Sequence, residues 1–109
     1  MRVNGTDLWM TRGDSETVVI ACAERPFTEG DTVVFTVKKD VFDEMPVLQK
    51  KITEFTEEGD AVVEVYPEDT RKMQETLYRY DVQLTTASGT VATIVRNSQF
   101  VLEREVNGD

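Results

Sequence analysis

Three groups of carboxylates are the residues of this 109-residue chain whose type and spacing suit acid–base chemistry: Asp40, Asp43 and Glu44; Glu57, Glu58 and Asp60; and Glu68 with Asp69. The chain has no histidine. Neither a Ser-His-Asp nor a Cys-His scheme can therefore be assembled, and the usual proton carrier and commonest metal ligand is missing. Catalysis would have to rest on paired carboxylates alone, as in glycoside hydrolysis. All three groups fall in expected turns, where acidic side chains serve solvation and capping and lack the burial that raises a carboxylate pKa. The expectation is a non-enzyme with no catalytic residue.

Calcium is the other chemistry that acidic loops perform, because a hard cation gathers several oxygens about one point. Neither Asp40-Val41-Phe42-Asp43-Glu44 nor Glu57-Glu58-Gly59-Asp60 has the ligand spacing of the calcium-binding helix–loop–helix motif, and no glycine-rich phosphate loop exists. No metal or cofactor is expected. Arg12-Gly13-Asp14 is the tripeptide that animal integrins read. Gly13 and Asp14 are also good turn formers between two apolar runs, so the reading here is a hairpin tip. Trp9 alternates with Leu8 and Met10 and faces opposite to them, open to a core or a contact role.

The balance of 21 acidic against 12 basic residues, a net charge of −9, argues against nucleic acid, whose affinity rests on Lys and Arg displacing counterions. Lys38-Lys39 and Lys50-Lys51 each straddle both faces of an expected strand and make no basic stripe. Cys22 is the only cysteine, which excludes an internal disulfide and indicates a reducing site of synthesis. The first seven residues lack the apolar centre of a signal peptide, and no run approaches the roughly 18 apolar residues of a membrane span. A soluble protein made in the cytoplasm, without contact to membrane, is expected.

The 109 residues suit one domain, 1–109, large enough to bury a core unaided. Glycines and prolines fall between apolar runs rather than inside them, which favours strands with tight connections. The runs are 8–11, 17–23, 32–39, 47–55, 61–66, 77–86, 91–96 and 99–106. Tyr78, Tyr80, Val82 and Leu84 share one face, with Arg79, Asp81, Gln83 and Thr85 on the other; Val33, Phe35 and Val37 oppose Val34, Thr36 and Lys38. This period of two is that of half-buried antiparallel strands. Lys50 breaks it by sharing the parity of Leu48 and Ile52, which predicts a bulge or a sheet edge. One helical turn is expected within 68–75, capped by Asp69 or Thr70. Asp69-Thr70 upstream of Tyr78-Arg79-Tyr80 is similar to the tyrosine corner of immunoglobulin-like sandwiches, with Cys22, Phe35 and Tyr80 as core neighbours on the second, third and sixth strands. The fold class expected is an all-β, immunoglobulin-like antiparallel β-sandwich of about seven to eight short strands.

Taken together, Asn4-Gly5-Thr6-Asp7, Thr11-Arg12-Gly13-Asp14, the stretch from Gly30 to Lys39, Pro67-Glu68-Asp69-Thr70, Tyr78 to Leu84 and the closing Phe100 to Val106 form a collinear set. In order and spacing it resembles the N-terminal domain of the baseplate upper proteins of tailed phages of Gram-positive bacteria, and similar small prophage tail proteins. The resemblance spans nearly the whole chain. It implies a non-catalytic virion structural protein of the phage or prophage tail, made in the bacterial cytoplasm and engaged in protein–protein interaction with other tail or baseplate proteins, or in a homo-oligomer. The longer members carry a second, receptor-gripping domain; this chain ends at Asp109, so the role expected of it is that of an assembly component. A carbohydrate-binding or adhesin-like β-sandwich is the alternative, with Trp9, Tyr66 or Phe42 stacking on sugar rings. The contact surface is expected at a strand edge or an apolar patch around Trp9 and Val47 to Phe55.

Overall fold

In the computed structural model, which describes residues 1–105, the chain forms eight strands and one short helix: β1 (Arg2–Asn4), β2 (Asp7–Thr11), β3 (Glu16–Ile20), β4 (Thr32–Lys38), β5 (Leu48–Ile52), β6 (Ala61–Val65), α1 (Pro67–Arg71), β7 (Leu77–Thr85) and β8 (Val91–Glu103). Six strands make one sheet in the order β1-β2-β8-β7-β4-β5, and β3 pairs with β6 in a second. Every pairing is antiparallel except β2 with β8. The all-β class read from the alternation is what the chain adopts.

Register explains why these strands meet. Val33 stands opposite Leu84, Phe35 opposite Val82 and Val37 opposite Tyr80, so the buried faces of β4 and β7 coincide. A slip of one residue would turn every one of these side chains to water. Phe35 packs on Tyr80 with ring centroids 5.1 Å apart and meets Phe100 edge-on at 6.3 Å. The small sheet contributes Ile20, Ala61, Val63 and Val65 to the same core. Each large apolar chain so buried is worth about 1.5–3 kcal/mol.

Several elements differ from their sequence reading. No strand was visible before Leu8, because β1 is exposed on both faces and carries no alternation. Its two-residue loop to β2, Gly5-Thr6, uses the positive φ of Gly5 (61°). The runs that begin at 91 and 99 are joined in one continuous strand, which ends at Glu103. Asn97-Ser98, which parted the two runs in the sequence, lie within the strand, and its register against β7 shifts twice between Tyr80 and Gln83. Val106, the expected end of that strand, and Asn107-Gly108-Asp109 lie outside the described residues.

The turn at Arg12-Gly13-Asp14 exists, with the Asp14 N–H donating to the Thr11 carbonyl at 3.2 Å. It is not a hairpin tip: β2 lies beside β8 and β3 beside β6, so the turn carries the chain from one sheet to the other. Strand β5 is an edge, as Lys50 suggested, and pairs with β4 in regular register without a bulge. Cys22 lies beyond the end of β3, partly buried against the core. The helix begins at Pro67 and its N-cap is Tyr66, not Asp69 or Thr70. Proline at the first helical position has no N–H to lose, and the Asp69 carboxylate accepts the Tyr66 N–H at 2.7 Å instead. The Tyr78 hydroxyl donates to the Gln74 carbonyl at 2.8 Å, and not to Asp69 or Thr70.

Candidate binding surface

The outward residues of the large sheet form a polar row because alternation leaves them there. Thr36 and Lys38 come from β4, Arg79, Asp81 and Gln83 from β7, with Gln49 on β5 and Asn97 on β8 alongside. Register sets Thr36 between Asp81 and Gln49, and Lys38 beside Arg79. Gln49 donates to the Thr36 hydroxyl at 3.1 Å, and Arg79 Nε donates to Asn97 Oδ1 at 2.8 Å. The β4–β5 loop walls this row with Val41, Glu44 and Pro46, and encloses a groove of about 400 Å³.

That loop is held by its own acids. Asp40 Oδ1 accepts the Phe42 N–H at 3.0 Å, and Asp43 Oδ2 accepts the Asp40 N–H at 3.1 Å. The turn closes with the Asp43 N–H on the Asp40 carbonyl, and the Val47 N–H on the Val37 carbonyl restarts pairing. Asp40 and Asp43 are thus turn-forming residues. The loop they shape lifts three apolar side chains into solvent: Phe42 is 91% exposed, Met45 78% and Val41 44%. Burial pushes the Asp81 carboxyl above the usual carboxylate range, and Lys38 opposes that rise. The groove offers amides, a hydroxyl and charges of both signs, an arrangement able to bind a polar partner through many hydrogen bonds.

The other acidic groups are not brought here. Glu57 and Glu58 are exposed on the β5–β6 loop, where the Asp60 N–H bonds the Thr56 hydroxyl at 3.0 Å, and Glu68 is exposed on α1. Among the described residues, no three carboxylates or thiols converge as metal ligands would. No helix among the described residues is long and apolar enough to cross a membrane.

The Arg12 side chain is occupied. Its Nε donates to the Met73 carbonyl at 3.0 Å, and its guanidinium also reaches the Arg71 carbonyl and, at 3.0 Å, Glu105 Oε1. The Gly13 N–H donates to Thr70 Oγ1 at 2.8 Å. Arg12 and Gly13 are thereby fixed to the end of α1, and the tripeptide is not presented as a free loop. Trp9 does face opposite to Leu8 and Met10, half-buried, with the Arg2 guanidinium 4.8 Å from its ring centroid. Phe42 was legible only as one exposed aromatic among several. Val41, Phe42 and Met45 standing in an acidic turn was the signal for the cluster.

No protein-family model, curated protein or solved structure matches this chain.

Proposed function

We propose that the chain is a non-catalytic structural component of a phage or prophage tail, in the baseplate region, acting as a protein–protein interaction module. Phe42 carries this reading. A phenylalanine 91% exposed on a loop whose backbone is pinned by two aspartates suits an interface anchor, because the ordering cost of that loop has already been met. The edge strand β5 begins directly after this loop, so the expected contact region around 47–55 adjoins it, whereas Trp9 lies under Arg2. The resemblance of the collinear landmarks to baseplate upper proteins is what supports the tail assignment, and the two sheets around one core suit an immunoglobulin-like sandwich. In this reading the protein is a virion component made in the bacterial cytoplasm, with other tail proteins as partners and no cofactor.

The test is binding to a phage distal-tail protein. Native protein should co-purify with that partner, and Phe42→Ser with Met45→Ser should abolish the complex while leaving the melting temperature unchanged. A complex indifferent to both substitutions would sink the proposal. The polar groove favours one second reading, a carbohydrate-binding or adhesin-like module, in which Gln49, Asp81 and Asn97 take a sugar's hydroxyls and Phe42, on the loop that walls the groove, stacks on a sugar ring. Titration with host cell-wall polysaccharide, with and without Phe42→Ser, separates the two.

A further inference from the structure

The sheets end in strand edges that are unequally defended. Strand β5 carries Lys50 and Lys51, β1 is three residues long and holds Arg2, β3 holds Glu16 and β6 holds Glu64. Short length and charge are the ordinary means of keeping an edge from pairing with another chain. The first half of β8 has neither. Strand β2 runs beside β8 only from Leu8 opposite Phe100 to Thr11 opposite Glu103. Residues Val91 to Val95 therefore have β7 on one side and, among the described residues, no strand on the other.

This segment, Val-Ala-Thr-Ile-Val, contains β-branched residues and no charge, proline or glycine. Val91 is 60% exposed, Ala92 and Thr93 are exposed, and Ile94 and Val95 are only partly covered by the core. Between Val82 and Ser98 there is no acidic residue, although the chain carries 21 and a net charge of −9. Two copies repel each other over most of their surfaces, and least at this edge.

We propose that Val91 to Val95 is a self-association edge, pairing antiparallel with the same segment of a second copy about a two-fold axis near Thr93. Such a contact is isologous: Val91 meets Val95, Ala92 meets Ile94, and Thr93 meets Thr93. Arg96 then falls opposite Thr90, so no like charges are opposed. The two register irregularities against β7 follow Thr93 and twist the strand, which keeps the pairing short and the dimer weak. This surface is separate from Phe42, and the inference stands or falls independently of the tail assignment.

Sedimentation velocity over a concentration series, at low and high sodium chloride, tests it. A reversible monomer–dimer equilibrium is expected, shifted toward dimer by salt because screening relieves the mutual repulsion. Thr93→Lys sets two ammonium groups at the centre of the contact and should weaken the dimer on the order of tenfold or more. Val19→Lys, at an exposed position of β3, should leave it unchanged. Amide exchange of the native protein should slow at Val91 to Val95 as concentration rises, which decides the matter even if Thr93→Lys fails to fold. A monomer at every concentration and salt, or a dimer that survives Thr93→Lys with these amides unprotected, would overturn the proposal.

Discussion

The Lys50 ammonium lies 2.7 Å from the Asp69 carboxylate, joining the edge strand of the large sheet to the helix that follows the small one. The same ammonium sits 4.9 Å from the centroid of the Tyr66 ring. An inward-pointing lysine on an edge strand would be costly without partners; here it bridges β5 to α1 and keeps that edge from accepting another strand.

The acid sensitivity of this contact follows from Asp69. Burial works to raise its pKa, but Lys50, the Tyr66 N–H and the more distant Lys72 outweigh that and hold it below the ordinary 3.8. A depressed folded value means stabilisation that is present above 3.8 and lost as pH falls through the folded value. Lys50→Met should therefore lower the melting temperature at neutral pH, with the deficit shrinking in acid. Because both groups keep some solvent contact, a double-mutant cycle with Asp69→Asn should give a coupling of about 0.5–1 kcal/mol. An equal deficit at both pH values would show that Lys50 acts by packing alone.

Arg12 makes a stronger claim on stability. Three acceptors, the Met73 and Arg71 carbonyls and Glu105, depend on one guanidinium. Lysine cannot present donors in that fork, so Arg12→Lys and Arg12→Ala should each cost about 1–3 kcal/mol. Asp14 is exposed, and Asp14→Glu should change stability by less than about 0.5 kcal/mol. Chemical denaturation of the three variants checks this ordering. Integrin-dependent cell adhesion by the native protein, lost in Asp14→Glu, would contradict the reading of the tripeptide as a structural turn.

What was legible in the sequence was what alternation encodes. Tyr78 to Leu84 and Val33 to Val37 fixed β7 and β4 and the faces that meet between them, since one side of each is buried. Alternation is silent where both faces are wet, which hid β1, and turn-type residues inside a strand mislead, as Asn97-Ser98 did in dividing β8. It also cannot say which sheet a strand joins. The apolar runs on either side of Arg12-Gly13-Asp14 read as hairpin arms, yet Gly13 turns the chain between sheets and is held there by Thr70, 57 residues away. The candidate surface was half visible. Arg79 and Asp81 were placed on the outer face, but the loop that walls the groove is shaped by Asp40 and Asp43 bonding their own backbone, a pattern with no periodicity to detect.

Tyr80 predicts an alkaline transition. Its ring packs on Phe35 and its hydroxyl donates to the Thr6 carbonyl, while burial first and Asp7 second push its pKa up to about 12. A raised folded value means that the contribution is complete below the unfolded pKa of 10.0 and is lost as pH rises from there toward about 12. Tyr80→Phe should be less stable than native protein at neutral pH, having lost the bond to Thr6, and the gap should narrow across that window. Burial raises the Tyr78 hydroxyl as well, so ultraviolet titration of the folded native protein should lag that in denaturant, with the highest step, at about 12, absent in Tyr80→Phe. Full ionisation near pH 10 without unfolding would refute the assignment.

Asp81 separates stability from binding. Burial raises its pKa, with Lys38 pulling the other way, so the folded chain holds the proton more tightly than the unfolded one. The sign is then that this side chain favours folding below 3.8 and that the advantage is lost as pH rises through the folded value. At neutral pH the charged carboxylate is a net cost to the fold. Asp81→Asn keeps the shape and removes the charge, so it should melt at or above the native temperature at pH 7 and gain nothing in strong acid. Positions where a protein carries such a cost are frequently those where function needs the residue. If the groove is the contact surface, the same variant that gains stability should bind the distal-tail protein or the cell-wall polysaccharide more weakly. Asp81→Asn that is destabilised at neutral pH, or stabilised with binding intact, would show that the carboxylate serves the sheet and not the groove.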